Sequence, residues 1–80
     1  SSIKPTLTPI ENLRFLLGLQ QNFKEDDLYK ALELVGLFGY ENILCRNLSA
    51  GQQRRVALAR LYLSNAKVCL QYLLSSGHHI

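Results

Sequence analysis

The sequence predicts a mainly α-helical fold with three main helices, followed by a C-terminal segment that is either a strand or a short helix. Three segments begin with a polar residue that is followed three positions later by Glu or Gln, the capping-box pattern of a helix start. Apolar residues then recur at the three- and four-residue spacing of a helix that buries one face. Eighty residues make one small domain or a piece of a larger one.

The first helix is predicted from Thr8 and Glu11, which can exchange hydrogen bonds between side chain and backbone at a helix start. Pro9 suits the first helical position, where its missing N–H is not needed. We expect the helix to run from Pro9 to about Leu19. Its wide apolar face is formed by Ile10, Leu13, Phe15, Leu16 and Leu17.

The second helix is expected to begin with Asn22 as its cap and Glu25 in the return position. Gly36 is expected to end the helix. The residues at helical spacing between them are Leu28, Ala31, Leu32 and Val35. A connector follows over residues 37–47, broken by Gly39, with one helical turn expected from Glu41 to Leu44.

The third helix is predicted from the pair Ser49 and Gln52, a further capping box. We expect it to continue to about Leu63 and to end at Ser64 and Asn65. The segment from Val68 to Leu74 is ambiguous, because its β-branched start favours a strand and its leucines favour a helix. The run is too short for periodicity to decide.

Composition limits the possible functions. Net charge is +3, and residues 42–80 carry five basic residues and no acidic one. This basic half indicates either a polyanionic partner or a solvated basic face. Cys45 and Cys69 are expected as buried reduced thiols, and the adjacent His78 and His79 lack the spacing of zinc ligands. The longest apolar stretch falls far short of the roughly 20 residues of a membrane span.

The most informative segment is the polar turn from Ser49 to Gly51, directly before a helix in which basic and apolar residues alternate. The first N–H groups of a helix have no partner inside it, and the helix dipole makes that end positive. Such an end suits an anion, most often a phosphate. A plain helix cap is the competing interpretation of the same residues.

These residues also resemble a known family. Leu48-Ser49-Ala50-Gly51-Gln52 resembles the Leu-Ser-Gly-Gly-Gln signature of ATP-binding cassette (ABC) proteins, and Gln53 to Arg60 resembles the helix that follows it. Ile3 to Leu13 resembles the start of the family's helical subdomain. The resemblance covers about Ile3 to Lys67. It is greatest to the branch that supplies the ATP-binding subunit of the heme exporter in cytochrome c biogenesis.

The resemblance implies a function for the turn. In such proteins two cassettes enclose two ATP molecules, and the signature of one faces the γ-phosphate held by the other. Ser49 would donate its hydroxyl to that phosphate, and Gly51 a backbone N–H at close range. Gln52 would brace the turn or reach the ribose. Ala50 replaces the usual glycine, which is compatible only with a negative φ. No residue is assigned to catalysis or to a metal.

The resemblance also implies partners and a location. They are a second ATP-binding cassette subunit, and permease subunits that hold the protein peripherally at the cytoplasmic face of the inner membrane. No nucleic acid is expected. We expect three arginine side chains to pack through their aliphatic parts and to form ion pairs at the surface: Arg54, Arg55 and Arg60. Six of the seven aromatic residues are expected in the core or at subunit contacts: Phe15, Phe23, Tyr29, Phe38, Tyr40 and Tyr62.

The sequence lacks two motifs that ATP hydrolysis requires in this family, the P-loop and the Walker B carboxylates. No glycine has the Gly-x-x-x-x-Gly-Lys spacing of a P-loop. The expected Asp and Glu of the Walker B strand are absent near Tyr72 and Leu73. We therefore divide the chain into a helical subdomain fragment, residues 1–67, and a divergent tail, residues 68–80. The chain alone is expected to be inactive, with ATP bound only in trans and Mg²⁺ only in the full-length parent.

Three origins would explain a family resemblance that is followed by a divergent tail: an excised piece of a longer protein, a gene product with a shifted reading frame, or a non-functional truncated remnant. A small basic helical module that binds nucleic acid through its arginines is the alternative function. The parallel sheet of a complete cassette cannot form from one strand, so the predicted architecture stays helical.

Overall fold

The computed structural model describes residues 3–17 and 23–76, with the backbone alone described at 16–17 and 66–76. Its elements are α1 (Pro9–Leu17), α2 (Glu25–Leu34), a 3-10 turn (Cys45–Asn47) and α3 (Ala50–Ser76). No strand occurs among these residues, and the three helices pack against one another in pairs. The predicted mainly α-helical fold with three helices is confirmed.

Helix α1 begins as the sequence predicts. The Thr8 N–H donates to the Glu11 carboxylate at 2.9 Å, and the Glu11 N–H donates to the Thr8 hydroxyl at 3.2 Å. Ile10 and Leu13 are fully buried. The predicted end near Leu19 lies outside the described residues.

Helix α2 begins later than predicted. Lys24 is its N-cap, and the Lys24 N–H donates to the Asp27 carboxylate at 3.2 Å, so Asp27 takes the return position assigned to Glu25. The Glu25 carboxylate instead accepts three hydrogen bonds at 2.8, 3.0 and 3.2 Å from the Arg14 guanidinium. Charge-assisted pairs of this kind are stronger than neutral hydrogen bonds, and they draw Glu25 across to α1. Asn22, the expected cap, lies outside the described residues.

The end of α2 is the glycine stop that the sequence predicts. Gly36 has φ +81°, the left-handed conformation that favours glycine. The Gly36 N–H donates to the Glu33 carbonyl at 3.0 Å, and the Leu37 N–H donates to the Leu32 carbonyl at 2.9 Å. These two bonds define a Schellman motif, which satisfies carbonyls that the helix end would otherwise leave unpaired.

The connector between α2 and α3 corrects one prediction. Its helical turn lies at Cys45–Asn47 and not at Glu41 to Leu44. The reason is tertiary, because the Cys45 N–H donates to the Leu7 carbonyl at 2.9 Å and the Arg46 N–H donates to the Pro5 carbonyl at 3.0 Å. Hydrogen bonds to a segment some forty residues earlier in the chain therefore determine which residues form the turn.

Helix α3 is longer than predicted. It passes through Ser64 and Asn65 without a break and extends over 27 residues to Ser76, about 40 Å at 1.5 Å per residue. The segment from Val68 to Leu74 is thus helical, and the predicted stop is wrong. Ser and Asn are only weakly unfavourable inside a helix, and no Gly or Pro follows within the helix to end it.

One apolar core joins the three helices and the 3-10 turn. Eleven of the residues whose side chains are described form it: Ile10, Leu13, Leu28, Ala31, Leu32, Leu37, Cys45, Leu48, Val56, Ala59 and Leu63. Burial of the predicted apolar positions of α2 is confirmed, with Val35 packed at the edge. None of the described helices combines the length and the hydropathy needed to cross a membrane.

Candidate functional site

The turn that starts α3 has the predicted capping geometry. The Gln52 N–H donates to the Ser49 hydroxyl oxygen at 3.1 Å, and the Ser49 N–H donates to the Gln52 side-chain oxygen at 3.0 Å. The first bond of the helix follows, from the Gln53 N–H to the Ser49 carbonyl at 2.9 Å. Both partners of the capping box are therefore fixed relative to the helix axis.

Three donors remain unused at this helix start. Ala50 and Gly51 are the first two helical residues, so their N–H groups have no acceptor inside α3, and no other described group bonds to them. The Ser49 hydroxyl accepts a bond through a lone pair, which leaves its own proton for a ligand. All three residues are exposed. The donors lie at the positive end of a long helix dipole.

The two small residues of the turn, Ala50 and Gly51, are the first two residues of α3. Ala50 lies within α3, so its φ is negative, which meets the condition set for replacing the family's glycine. Of the described atoms outside its own helix backbone and its chain neighbours, a Cβ added to Gly51 would have only the Ser49 hydroxyl oxygen within 4 Å, at 3.9 Å. Packing within the fold therefore does not require glycine at position 51.

Gln52 braces the turn, one of its two expected roles. Its side-chain oxygen is held by the Ser49 N–H, and its side-chain NH₂ group makes no hydrogen bond among the described residues. Gln52 is half-buried, between the exposed Gly51 and the buried core.

Sequence reasoning missed two residues behind the turn. The Gln53 side-chain NH₂ donates to the Cys45 carbonyl at 2.7 Å and to the Leu48 carbonyl at 3.3 Å. Asn12, fully buried, donates to the Cys45 sulfur at 3.3 Å and accepts from the Lys4 N–H. The available signal was an amide side chain in the apolar stretch of α1, because buried amides are normally hydrogen-bonded.

Burial and hydrogen bonding act in opposite directions on the Cys45 thiol. Removal from water raises the pKa of Cys45, and the hydrogen bond from Asn12 partly offsets this increase. Cys45 is a buried free thiol, as predicted, while the side chain of Cys69 lies outside the described residues. No cluster of three or more metal-ligating side chains occurs within the described ranges.

The arginines of α3 do not form the expected ion pairs. The salt bridge between Arg14 and Glu25 is the only one in the described part of the chain. Arg54 is exposed, and the Arg55 guanidinium lies 3.3 Å from the position of a Cβ on Gly36. The Nε of Arg60 is buried, with no hydrogen-bond partner among the side chains that the structure describes. Residues 42–80 contain no acid, which removes every local partner.

Most of the aromatic side chains lie on the surface. Phe23 packs against the core, as one of the two expected roles requires. The other five are 37–73% exposed, and they are Phe15, Tyr29, Phe38, Tyr40 and Tyr62. A core role is therefore wrong for these five, and subunit contact stays a prediction.

The comparison with protein families identifies the class. The family model described as ABC transporter matches residues 1–71. The chain therefore belongs to the ABC transporter family.

Curated relatives narrow the similarity. A cytochrome c biogenesis ATP-binding export protein CcmA from Pseudomonas savastanoi pv. phaseolicola is 56% identical over 63 residues, which cover 79% of this chain and 30% of the relative. The CcmA protein of Sodalis glossinidius is 52% identical over 68 residues, 85% of this chain and 32% of the relative. The chain thus spans about a third of the length of these relatives. No solved structure matches it.

Proposed function

We propose that the Ser49 turn contacts the γ-phosphate of an ATP molecule that a second ATP-binding cassette holds. The Ser49 hydroxyl and the Gly51 N–H donate to phosphate oxygens, Ala50 contributes its N–H beside them, and Gln52 keeps the turn in shape. The turn senses bound ATP and stabilises negative charge, and it does not activate water.

One observation carries this proposal: three unused hydrogen-bond donors on the exposed, positive end of α3. A phosphate offers several acceptor oxygens and negative charge, which complement both the donors and the helix dipole. The open space beside Gly51 provides room for close approach.

The larger assembly is part of the proposal. The relatives are named as ATP-binding export proteins of cytochrome c biogenesis. We propose that residues 1–67 act as the signature-bearing helical subdomain of such a subunit in heme export, with residues 68–80 as a divergent tail. Its partners are a second cassette and the permease subunits, at the cytoplasmic face of the inner membrane. ATP is supplied in trans, and Mg²⁺ belongs to the complete cassette.

The test measures how long a complete cassette retains nucleotide. The full-length Pseudomonas relative is loaded with a fluorescent, non-hydrolysable ATP analogue, and the 80-residue chain is added in increasing amounts. We expect the chain to slow dissociation of the analogue, because its donors close the open side of the phosphate. No change at any concentration of folded chain would contradict the proposal.

Three variants separate phosphate contact from helix capping. Ser49→Ala removes both the cap and the hydroxyl donor. Ser49→Asp keeps a good cap but places negative charge against the phosphate. Thr8→Ala removes the matching capping box of α1, far from the turn in sequence. We expect both Ser49 variants to abolish the slowing and Thr8→Ala to preserve it at equal folded fraction. Slowing that survives Ser49→Asp would count against the assignment.

A further inference from the structure

The peptide group between Leu48 and Ser49 is held from both sides by consecutive side chains. Its carbonyl accepts from the Gln53 side chain at 3.3 Å, and its N–H donates to the Gln52 side chain at 3.0 Å. Rotation of this peptide plane would change the direction of the Ser49 side chain. Fixing both ends of the plane therefore fixes where the hydroxyl is presented.

Gln53 also reaches the start of the preceding 3-10 turn. Its NH₂ group donates to the Cys45 carbonyl at 2.7 Å, the shorter of its two side-chain bonds. The Cys45 carbonyl accepts the Leu48 N–H as well, at 3.0 Å. One half-buried side chain thus joins the first residue of that turn, the residue before Ser49 and α3 itself.

The same turn is anchored on its other side. Cys45 accepts from Asn12 through its sulfur and donates its N–H to the Leu7 carbonyl. The turn is therefore held between α1 and α3. Gln53 supplies the attachment to α3, because no other side-chain hydrogen bond in the described structure links α3 to the turn.

We propose that Gln53 is a positioning residue for the nucleotide contact: its side chain holds the 3-10 turn and the Leu48–Ser49 peptide, so that the Ser49 hydroxyl faces outward. The role in nucleotide contact rests on the function proposed above. The role in holding the turn is a property of this chain alone, and it can be tested without nucleotide.

Cys45 provides the readout for the turn. In a Cys69→Ala background Cys45 is the single thiol, and it is fully buried, so alkylation requires the turn to open. Gln53→Met keeps the length of the side chain and removes its donors. We expect alkylation of Cys45 to accelerate on the order of fivefold, the factor that corresponds to one net hydrogen bond. Gln53→Lys, which restores a donor, should return the rate towards that of the parent.

Two controls separate local opening from loss of fold. Arg54→Met changes the neighbouring exposed residue and should leave the alkylation rate unchanged. Hydrogen exchange at the Leu32 amide in α2 gives the free energy of global unfolding, and the free energy of opening at Cys45 should lie below it in every variant. An unchanged Cys45 rate in Gln53→Met, or an opening free energy at Cys45 equal to that of global unfolding, would overturn the proposal.

The nucleotide assay then tests the consequence. Gln53→Met should lower the concentration-dependent slowing of analogue release, and Gln53→Lys should restore it. If the parent chain slows release and Gln53→Met does so equally well, the positioning role is wrong. If the parent chain fails to slow release, the proposed function fails, and the Cys45 rates alone decide whether Gln53 holds the turn.

Discussion

Gly51 illustrates, at the scale of one residue, how a position can be free within the fold and constrained by a ligand. It is the second residue of α3, where its φ is helical and an added methyl group would meet nothing closer than 3.9 Å. Glycine in a helix costs conformational entropy relative to alanine. The chain accepts that cost at the residue whose N–H we assign to the phosphate.

We expect Gly51→Ala to stabilise the chain and to impair nucleotide contact. The free energy of unfolding should rise by about 0.5–1 kcal/mol, because alanine has the higher helix propensity and fits without a clash. The slowing of analogue release should fall, because the methyl group occupies the space of the phosphate. Urea denaturation and the release assay measure the two effects.

Gly39→Ala is the matched control for that substitution. Gly39 has φ +92°, and no described atom lies within 4 Å of an added Cβ, so its left-handed conformation is what opposes a side chain. We expect this variant to lose about 1–2 kcal/mol of unfolding free energy. Equal effects at the two glycines, or intact nucleotide contact in Gly51→Ala, would contradict the assignment of Gly51.

At the scale of elements, the ends of the helices carry most of the polar interactions. Arg14 lies in the last turn of α1 and Glu25 in the first turn of α2, so each charge also suits the dipole of its own helix. The hydrogen bonds between them raise the pKa of Arg14 and lower the pKa of Glu25. Both side chains are exposed, which makes the pair sensitive to salt.

The lowered pKa of Glu25 predicts how the stability of the chain depends on pH. A carboxyl with a lowered pKa in the folded state stabilises the fold fully above its unfolded pKa, about 4.3. That contribution is lost as pH falls through the lower pKa of the folded state. We expect the unfolding free energy of the parent to exceed that of Glu25→Gln at about pH 6 and to converge with it on acidification to about pH 3.

Denaturation across that pH range, at low and high salt, measures the difference. Glu33→Gln removes another carboxylate of α2, one that forms no ion pair with any described residue, and serves as control. The difference in unfolding free energy between the parent and Glu25→Gln should become smaller in high salt. If this difference grows as the pH falls, the ion pair of Arg14 and Glu25 does not stabilise the packing of α1 against α2.

At the scale of the whole molecule, Asn12 joins parts of the chain that are distant in sequence. Its amide accepts from the Lys4 N–H, donates to the Lys4 and Thr8 carbonyls at 3.0 and 3.1 Å, and contacts the Cys45 sulfur. The segment before α1 and the turn before α3 therefore share one buried side chain.

We expect Asn12→Ala to destabilise the chain by roughly 2–3 kcal/mol, because it removes the partners of the part-buried Lys4 backbone groups and opens a cavity where the buried Asn12 side chain lay. Urea denaturation measures this change. Alkylation of Cys45 should also accelerate, since the turn loses its attachment to α1. The exposed Arg46→Ala serves as control and should change neither quantity. A loss below about 0.5 kcal/mol would argue against the role of Asn12.

The whole chain is also expected to lack ATPase activity on its own, because the P-loop and the Walker B carboxylates are absent from its sequence. Phosphate release by the purified chain with ATP and Mg²⁺ should equal the background rate. A rate that persists through purification and is lost in Ser49→Ala would contradict this expectation. A matching Thr8→Ala preparation should behave like the parent.

The sequence by itself determined what depends on neighbours along the chain. The capping boxes at Thr8 and Ser49, the glycine stop at Gly36 and the apolar face of α2 follow from bonds within three or four residues and from helical spacing. The signature segment, and with it the family, could also be identified from the sequence, through its resemblance to a known motif.

Only the tertiary structure decided what depends on distant partners. Arg14 draws Glu25 away from the α2 cap, and contacts with the segment before α1 place the 3-10 turn at Cys45. Gln53 and Asn12 have hydrogen-bond partners that no local pattern specifies. Helix α3 continues past Asn65 because Ser64 and Asn65 are only weakly unfavourable inside a helix and do not end it. Local bonds set where helices begin, and long-range contacts set which polar groups those helices hold in place.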